Sequence, residues 1–233
     1  MTARRHDRTV DTRVNAAAWN AIARQDRTST DRAEVVPARM EWTHRPGTGP
    51  GAELLGDVRG ARVIELGCNR GDNLAHVATL GPARTVGLDV AEDCVAQARA
   101  RWAHVPGIAW TTGEAGDFLA ASRETYDVVY SIFGALWYTD PERLLPRVRE
   151  RLAPGGLLAF TVSAARPGAL HGARVDNLTL GTGVRMPVVH YAYDAAGWHD
   201  LLARHRFIVE RSIDVPTRDG AGHRALVFTA RAA

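Results

Sequence analysis

The residues best suited to chemistry lie in a glycine turn that follows a short apolar run, Val63–Leu66. The turn carries Gly67, Asn69 and Gly71, and a segment with helical spacing follows it. Gly67 lets the backbone approach a ligand closely, and Gly71 lets the next helix pack near the strand. The spacing differs from the G-x-G-x-x-G turn that holds a pyrophosphate, and Asp72 at the helix start would repel one. The turn therefore predicts a small polar ligand without a phosphate.

Acidic residues follow the next two predicted strands. Asp89 ends the run Val86-Gly87-Leu88-Asp89 and lies about 20 residues beyond the turn, where a carboxylate can accept hydrogen bonds from both hydroxyls of a ribose. After the third strand comes Gly113-Glu114-Ala115-Gly116-Asp117. One of its acidic side chains could accept a hydrogen bond from an adenine amino group, and the spacing leaves both Glu114 and Asp117 open.

Five motifs, in their order and spacing, resemble those of the class I S-adenosylmethionine-dependent methyltransferases, and more narrowly their type 11 branch of small-molecule enzymes. They cover residues 60 to 165, and Asn69 replaces the commoner glycine, a change that its tolerance of left-handed backbone permits. The motifs are Glu65-Leu66-Gly67-Cys68-Asn69-Arg70-Gly71, Gly87-Leu88-Asp89, Gly113-Glu114-Ala115, Tyr126-Asp127-Val128-Val129-Tyr130-Ser131 and Leu152-Ala153-Pro154-Gly155-Gly156-Leu157-Leu158.

The resemblance implies that S-adenosyl-L-methionine is the cofactor and that the chain is a methyltransferase. It places Glu65 and the turn at the methionine part of the cofactor, Asp89 at the ribose, and Glu114 and Ala115 at the adenine. The end of the fourth strand lies where cofactor meets substrate, and Asn73 on the first helical turn is a further candidate. The predicted cofactor-binding residues are Glu65, Gly67, Cys68, Asn69, Gly71, Asn73, Asp89, Val90, Glu114, Ala115, Asp117, Ser131 and Ile132.

The methyl acceptor is expected beyond the fourth strand, because open α/β sheets bind ligands at the carboxyl ends of their strands. The candidates for its pocket are aromatic: Trp19, Phe133, Trp137, Tyr138 and Tyr191. A hydroxyl acceptor is helped by a base that removes its proton, and histidine is the side chain most often used. The predicted bases are His190 and then His171. A neutral amine acceptor would need neither.

Short β-branched runs alternate with helical segments from Arg62 onward, a pattern typical of βαβ units. With the resemblance, the pattern predicts an α/β, Rossmann-like, seven-stranded and mostly parallel sheet whose last strand is antiparallel. Strands are predicted near 62–67, 85–89, 108–112, 126–132, 156–163, 207–214 and 223–230, and helices near 72–80, 91–103, 141–152 and 194–205.

Two further segments are predicted to accompany this sheet. Residues 1–57 form an N-terminal helical cap or arm, with helical spacing from Val14 to Ile22, and residues 58–233 form the methyltransferase domain. An insertion at 164–193 carries two β-branched runs around Gly181-Thr182-Gly183. This pattern predicts a β-hairpin after the fifth strand, where a substrate wall could lie.

All 29 basic residues are arginine, against 26 acidic ones, so a phosphate-loop lysine and a Schiff-base lysine are excluded. Residues 1–32 hold seven Arg and four Asp and account for the whole formal charge of +3. The balanced remainder disfavours nucleic acid as a partner. We expect a small-molecule acceptor, no metal site, and a monomer or homodimer.

The two cysteines form no Cys-x-x-Cys pair, and the chain has neither a signal-peptide pattern nor a membrane-spanning run. These features favour a cytoplasmic protein. Natural-product biosynthesis is the expected setting, because the family branch and the insertion indicate a bespoke pocket. Two alternatives remain open: an RNA or protein methyltransferase that uses the basic N-terminal arm, and a non-catalytic scaffold that binds the cofactor.

Overall fold

The structure, a computed structural model, describes residues 8–25, 35–165, 170–216 and 224–233. A seven-stranded sheet forms its centre, and a two-stranded hairpin lies apart from it. In chain order the described strands are β1 (Arg62–Leu66), β2 (Arg84–Asp89), β3 (Ile108–Thr112), β4 (Tyr126–Ile132), β5 (Leu152–Ser163), β6 (Gly172–Thr179), β7 (Arg185–Ala192), β8 (Phe207–Val215) and β9 (Ala225–Ala232).

The strand order across the main sheet is β3-β2-β1-β4-β5-β9-β8. Neighbours among β1 to β5 pair in parallel, and β9 runs antiparallel to both β5 and β8. The predicted α/β Rossmann-like sheet with an antiparallel last strand is confirmed. The strand order reverses between β1 and β4, and open α/β sheets bind ligands in the crevice at such a point.

The described helices are α1 (Arg8–Gln25), α2 (Asp72–Ala78), α3 (Glu92–Arg101), α4 (Ala115–Ala121), α5 (Ala135–Tyr138), α6 (Pro141–Arg151) and α7 (Ala195–Arg204), with a 3₁₀ turn at Ala52–Leu55. The sequence pattern does not predict α4 or α5, and α5 has only four residues. The carboxylates of Glu114, Asp140 and Asp194 cap the helices that follow them. Among the described residues, no helix combines the length and apolar composition that a membrane span requires.

The main sheet is buried on both faces, so alternate residues of its strands enter two different hydrophobic clusters. On β1, Ile64 and Leu66 join a cluster with residues of α4, α6 and α7, whereas Val63 joins a second cluster. Met40 and Trp42 are fully buried in that second cluster. Burial on both faces explains why the parallel strands are nearly continuous apolar runs in the sequence.

The hairpin and the N-terminal helix accompany the sheet as the sequence predicts. β6 and β7 pair from Gly172↔Ala192 to Thr179↔Arg185, although residues 166–169 of the predicted insertion lie outside the described residues. α1 is longer than the predicted helical segment and packs on β7 and α3. The hairpin insertion and the helical cap are confirmed, while the boundary between residues 57 and 58 stays a prediction.

Candidate active site

A cavity of about 520 Å³ lies at the carboxyl ends of β1 to β4. Its walls come from these strand ends, from α1, and from residues 37–44. The lining residues are Thr12, Asn15, Trp19, Pro37, Arg39, Glu41, Thr43, His44, Gly67, Asn69, Asp72, Asn73, Leu88, Asp89, Val90, Arg101, Gly113, Glu114, Ala115, Ile132, Phe133, Gly134, Ala135, Tyr138 and Thr139.

The structure brings part of the predicted site together around this cavity. The predicted residues that line it are Gly67, Asn69, Asn73, Asp89, Val90, Glu114, Ala115, Ile132, Trp19, Phe133 and Tyr138. The predicted residues outside its lining are Glu65, Cys68, Gly71, Asp117, Ser131, Trp137, Tyr191, His171 and His190.

The backbone of the glycine turn is held between the ends of β2 and β4. The N–H groups of Gly67 and Cys68 both donate to Leu88 O, at 2.7 and 3.0 Å. Gly67 has a φ of +85°, and a Cβ at this position would lie 2.6 Å from the Cα of Gly134. Asn69 also has a positive φ, of +47°. Position 67 therefore needs glycine for both its conformation and its contact.

Gly71 ends the turn and allows α2 to pack closely. Its φ is +76°, and a Cβ there would lie 2.2 Å from the ring of Trp110. The Trp102 indole N–H donates to Arg70 O at 2.8 Å and holds the turn from the same side. Gly71 therefore determines the shape of the turn without lining the cavity.

Asp89 ends β2 and organises the loops on either side of it. Its Oδ2 accepts from the Asn69 N–H at 2.8 Å, and its Oδ1 accepts from the Ala91 N–H at 2.9 Å. Burial raises the pKa of Asp89, although these backbone donors act in the opposite direction. Each carboxylate oxygen has a second lone pair. The side chain can therefore accept further hydrogen bonds from a ligand in the cavity.

The structure separates the two acidic residues that follow β3. Glu114 lines the cavity together with Gly113 and Ala115. Its Oε2 also accepts from the Asp117 N–H at 2.8 Å and so caps α4. The side chain of Asp117 does not line the cavity. Of the two alternatives that the spacing leaves open, Glu114 is the one in position to contact a ligand.

The end of β4 is tied to β1 by a buried hydroxyl. Ser131 Oγ donates to Leu66 O at 2.7 Å and accepts from the Leu136 N–H at 3.2 Å. Ser131 is fully buried, so it positions the loop that follows it. Phe133 in this loop has a φ of +44° and lines the cavity.

Residues 35–44, here called the strap, form a wall that was not expected from the sequence pattern. Met40 and Trp42 are buried in the core, while Arg39, Glu41 and Thr43, which alternate with them along the chain, line the cavity. This alternation of apolar and polar residues is the signal in the sequence that could have identified the wall. The Arg39 Nε lies 3.6 Å from Glu41 Oε1.

Two residues of α2 hold the strap in place. Asn73 Oδ1 accepts from the Glu41 N–H at 2.9 Å, and Asn73 Nδ2 donates to Glu41 O at 3.2 Å. His76 Nδ1 lies 2.8 Å from Pro37 O. Asn73 thus contributes to the site both as a lining residue and as the clamp of the strap.

Glu65 and Tyr130 form a buried pair beneath the glycine turn. The Tyr130 hydroxyl donates to Glu65 Oε2 at 3.0 Å, and both side chains are almost completely buried. Burial raises the pKa of Glu65 well above its usual range, and the nearby Asp72 and Asp89 charges add to the rise. The Cys68 thiol is also buried, and burial raises its pKa. Glu65 and Cys68, which were predicted to bind the cofactor, are therefore buried beside the turn and do not line the cavity.

Replacing Glu65 by glutamine is expected to flatten the pH dependence of stability. The folded protein holds the Glu65 proton more tightly than the unfolded chain does, so stability is lost as the pH rises from the unfolded pKa, near 4.5, towards the raised folded value. One such group contributes at most about 1.4 kcal/mol per pH unit. Glu65→Gln keeps an acceptor for Tyr130 but carries no charge.

Urea unfolding from pH 5 to 8 measures this effect. The free energy of unfolding of Glu65→Gln should rise relative to the wild type as the pH increases. Glu150→Gln, at an exposed position of α6, is the control and should follow the wild type. Parallel pH curves for Glu65→Gln and the wild type would show that burial does not favour the protonated form.

The two predicted bases lie outside the cavity wall. His190 is on β7, with its ring 4.9 Å from that of Trp137. His171 Nε2 lies 3.2 Å from Asp194 Oδ1, at the start of α7. Tyr191 is buried on β7. The described histidine that does line the cavity is His44, which is not among the predicted site residues.

Aromatic rings form the wall between α1, the strap and the end of β4. The Trp19 and Tyr138 rings meet edge to face, with centroids 5.8 Å apart. His44 stacks on Phe133, with centroids 3.8 Å apart and an interplanar angle of 17°. Trp137 packs behind Phe133 and Tyr138. We call Trp19, Phe133 and Tyr138 the aromatic wall.

Comparison with known proteins agrees with this fold. Residues 63–156 match the family model of a methyltransferase domain. The trans-aconitate 2-methyltransferase of Deinococcus radiodurans is 35% identical over 112 residues, which cover 48% of this chain and 41% of that protein. The matched part thus spans less than half the length of this curated relative.

Solved structures show the same architecture at low sequence identity. The S-adenosylmethionine-dependent methyltransferase from Mesorhizobium loti has a TM-score of 0.58 and 22% identity, covering 76% of this chain and 94% of that one. The DhpI complex with S-adenosylhomocysteine has a TM-score of 0.61 and 16% identity, covering 96% of this chain and 97% of that one.

The sheet topology, the glycine turn and the matched segment define a Rossmann-like methyltransferase domain. The family match over residues 63–156 and the shared fold support the resemblance of the motifs to the class I S-adenosylmethionine-dependent methyltransferases.

Proposed function

We propose that the chain binds S-adenosylmethionine in the cavity and transfers its methyl group to a hydroxyl or amine of a small molecule. One observation carries the proposal. The turn after β1, the Asp89 carboxylate and the start of α4 all line the same cavity. These are the places where the motif resemblance expects the methionine, ribose and adenine parts of the cofactor.

The chemistry of the lining residues fits this cofactor. Asp89 has lone pairs left for the two hydroxyls of a ribose. Backbone contact between Gly67 and Gly134 leaves no side chain between the turn and the end of β4. Asp72 lines the cavity at the start of α2 and pairs with Arg101 at 3.4 Å, so a carboxylate occupies the helix end that would otherwise attract a phosphate. S-adenosylmethionine carries a ribose and an adenine but no phosphate.

The strap supplies charges for the amino-acid end of the cofactor. Arg39 and Glu41 are lining residues of opposite charge, held beside the turn by the Asn73 clamp. The cofactor has a carboxylate and an ammonium group at this end, and a guanidinium and a carboxylate are suitable partners for them. Arg39 and Glu41 thereby extend the predicted set of cofactor-binding residues.

The sulfonium of S-adenosylmethionine supplies an electrophilic methyl group, so the protein has mainly to orient the acceptor and exclude water. Orientation of two reactants can supply about 7–11 kcal/mol of the barrier reduction. Asn15 places α1 over the site: its side chain donates to Val189 O at 2.9 Å and accepts from the Val189 N–H at 2.8 Å. α1 thus closes one side of the cavity.

Part of the proposal rests on sequence features alone. A cytoplasmic location and a role in natural-product biosynthesis are proposed from the composition and the hairpin insertion.

The structure of the basic arm disfavours a nucleic-acid acceptor. The part of the arm that the structure describes is α1, which packs on α3 and β7. Its Arg24 is paired with Asp93 at 2.8 Å. Residues 1–7 and 26–32 of that arm lie outside the described residues.

Calorimetric titration tests the cofactor assignment before any acceptor is known. S-adenosylhomocysteine should bind with 1:1 stoichiometry, and NAD⁺ should not compete with it, because the turn lacks a pyrophosphate site. S-adenosylmethionine carrying a labelled methyl group then reports transfer to a panel of small hydroxyl and amine compounds. Absence of S-adenosylhomocysteine binding, or tighter binding of NAD⁺, would contradict the proposal.

A further inference from the structure

The charged residues of the cavity are distributed unevenly. Those that line it belong to the strap, to α2 and α3, and to the ends of β2 and β3: Arg39, Glu41, Asp72, Asp89, Arg101 and Glu114. The described lining contributed by α1, the β4 end and α5 is uncharged, and it consists mainly of aromatic and small side chains. The acceptor therefore meets a surface of different chemistry from that offered to the cofactor.

The aromatic wall favours a planar acceptor. Trp19, Phe133 and Tyr138 present rings to the cavity from three separate elements. Aromatic rings pack well in offset and edge-to-face arrangements, which add about 0.5–1.5 kcal/mol to the burial of apolar area. A planar aromatic compound is the kind of molecule that gains most from such a wall.

The same wall disfavours a carboxylate. A charged group that leaves water needs an opposite charge or several hydrogen bonds, and the described lining residues of α1, the β4 end and α5 include no arginine. Burial raises the pKa of Tyr138, and the negative charge of Asp176 nearby adds to the rise. Tyr138 therefore keeps its proton and offers no charge to an acceptor.

His44 is placed to receive a proton from an acceptor at this wall. Its ring lies parallel to that of Phe133, at the end of β4, and lines the cavity. None of the other described histidines lines the cavity. Each of the four lining carboxylates has a partner in the protein: Glu41, Asp89 and Glu114 accept backbone N–H groups, and Asp72 lies 3.4 Å from Arg101.

We propose that this end of the cavity takes an uncharged, planar aromatic hydroxyl compound and that His44 accepts the hydroxyl proton during methyl transfer. The proposal rests on the proposed function. The hydroxyl O–H bond breaks, with its proton passing to the His44 imidazole, and an O–CH₃ bond forms. The bond between the methyl carbon and sulfur breaks, its electron pair stays on sulfur, and S-adenosylhomocysteine is the second product.

The test uses 4-nitrophenol as the probe, because its ionised form absorbs visible light and reports proton transfer without turnover. The full chain is saturated with S-adenosylhomocysteine, at a pH where the free probe is mostly neutral. The wild-type complex should bind the neutral probe and increase its phenolate band, because the His44 imidazolium formed by the proton transfer compensates the charge of the phenolate. Tyr138→Ala should weaken probe binding at least tenfold. His44→Phe retains a ring to stack on Phe133, so it should bind the probe but lose the added phenolate band.

Controls separate the possible failures. His199→Phe changes an exposed histidine of α7 and should behave as the wild type. S-adenosylhomocysteine affinity, measured for every variant, tests the proposed function by itself and should be unchanged in His44→Phe. Binding of trans-aconitate in place of 4-nitrophenol, or no binding of 4-nitrophenol to the complex, would overturn the acceptor class. An equal phenolate band in His44→Phe and the wild type would overturn the role of His44.

Discussion

Asp89→Ala is expected to reduce the affinity for S-adenosylhomocysteine by at least about a hundredfold. The carboxylate would accept hydrogen bonds from both ribose hydroxyls, and a hydrogen bond to a charged group contributes about 1.5–3 kcal/mol. The change also removes the acceptor of the Asn69 and Ala91 N–H groups, which shape the loops on either side. Calorimetric titration with S-adenosylhomocysteine measures the effect.

Two companion variants make this result interpretable. Asp89→Asn keeps one carbonyl oxygen and should bind more tightly than Asp89→Ala but more weakly than the wild type. Asp200→Ala removes an exposed carboxylate on α7 and should bind as the wild type does. Circular dichroism melting shows whether each variant is folded at the titration temperature. Undiminished binding by folded Asp89→Ala would refute the assignment of Asp89 to the ribose.

Gly67→Ala is expected to destabilise the fold and to weaken cofactor binding at least tenfold. The left-handed conformation, with φ of +85°, costs a residue with a Cβ about 1–2 kcal/mol. The added Cβ would also lie 2.6 Å from Ala135 N and Gly134 Cα, so the end of β4 must move. Overpacking of this kind costs about 1–3 kcal/mol more. Urea unfolding and S-adenosylhomocysteine titration measure the two effects.

Gly107→Ala is a matched control for the conformational term. Gly107 has a similar φ, of +82°, but a Cβ there would meet nothing within 4 Å. The Gly107→Ala variant should be destabilised only by the cost of the left-handed conformation, and it should keep its affinity for S-adenosylhomocysteine. The difference between the two variants isolates the contact between the turn and the end of β4. Equal destabilisation of the two variants would show that this contact is unimportant.

Much of the fold follows from patterns that act over short stretches of chain. β-branched runs predict the strands of the main sheet, and two such runs around Gly181-Thr182-Gly183 predict the hairpin β6–β7. α5 escapes prediction because four residues are too few to show a helical period. α4 is also absent from the predicted helices, although it has seven residues, as the predicted α2 does. Their formation depends on packing, with Leu119 and Leu136 buried in the core.

The candidate site likewise has one part that local sequence patterns predict and another that depends on tertiary packing. The turn residues and Asp89 belong to a motif within about 20 residues, where the backbone of two adjacent strands places them. The choice between Glu114 and Asp117 depends on how α4 begins, because the cap uses Glu114 and aligns its side chain at the cavity. Spacing along the chain alone cannot decide it.

By itself, the sequence determines the class of this protein: a Rossmann-like sheet, a turn for a ligand without phosphate, and an acid at the end of the second strand. Tertiary structure alone decides that Glu65 lies buried against Tyr130 and that His44, rather than His190 or His171, lines the cavity. The physical reason is distance along the chain. Strand and turn signals are local, whereas the aromatic wall and His44 come from α1, the end of β4, α5 and the strap. Packing of the whole fold determines which of these side chains meet.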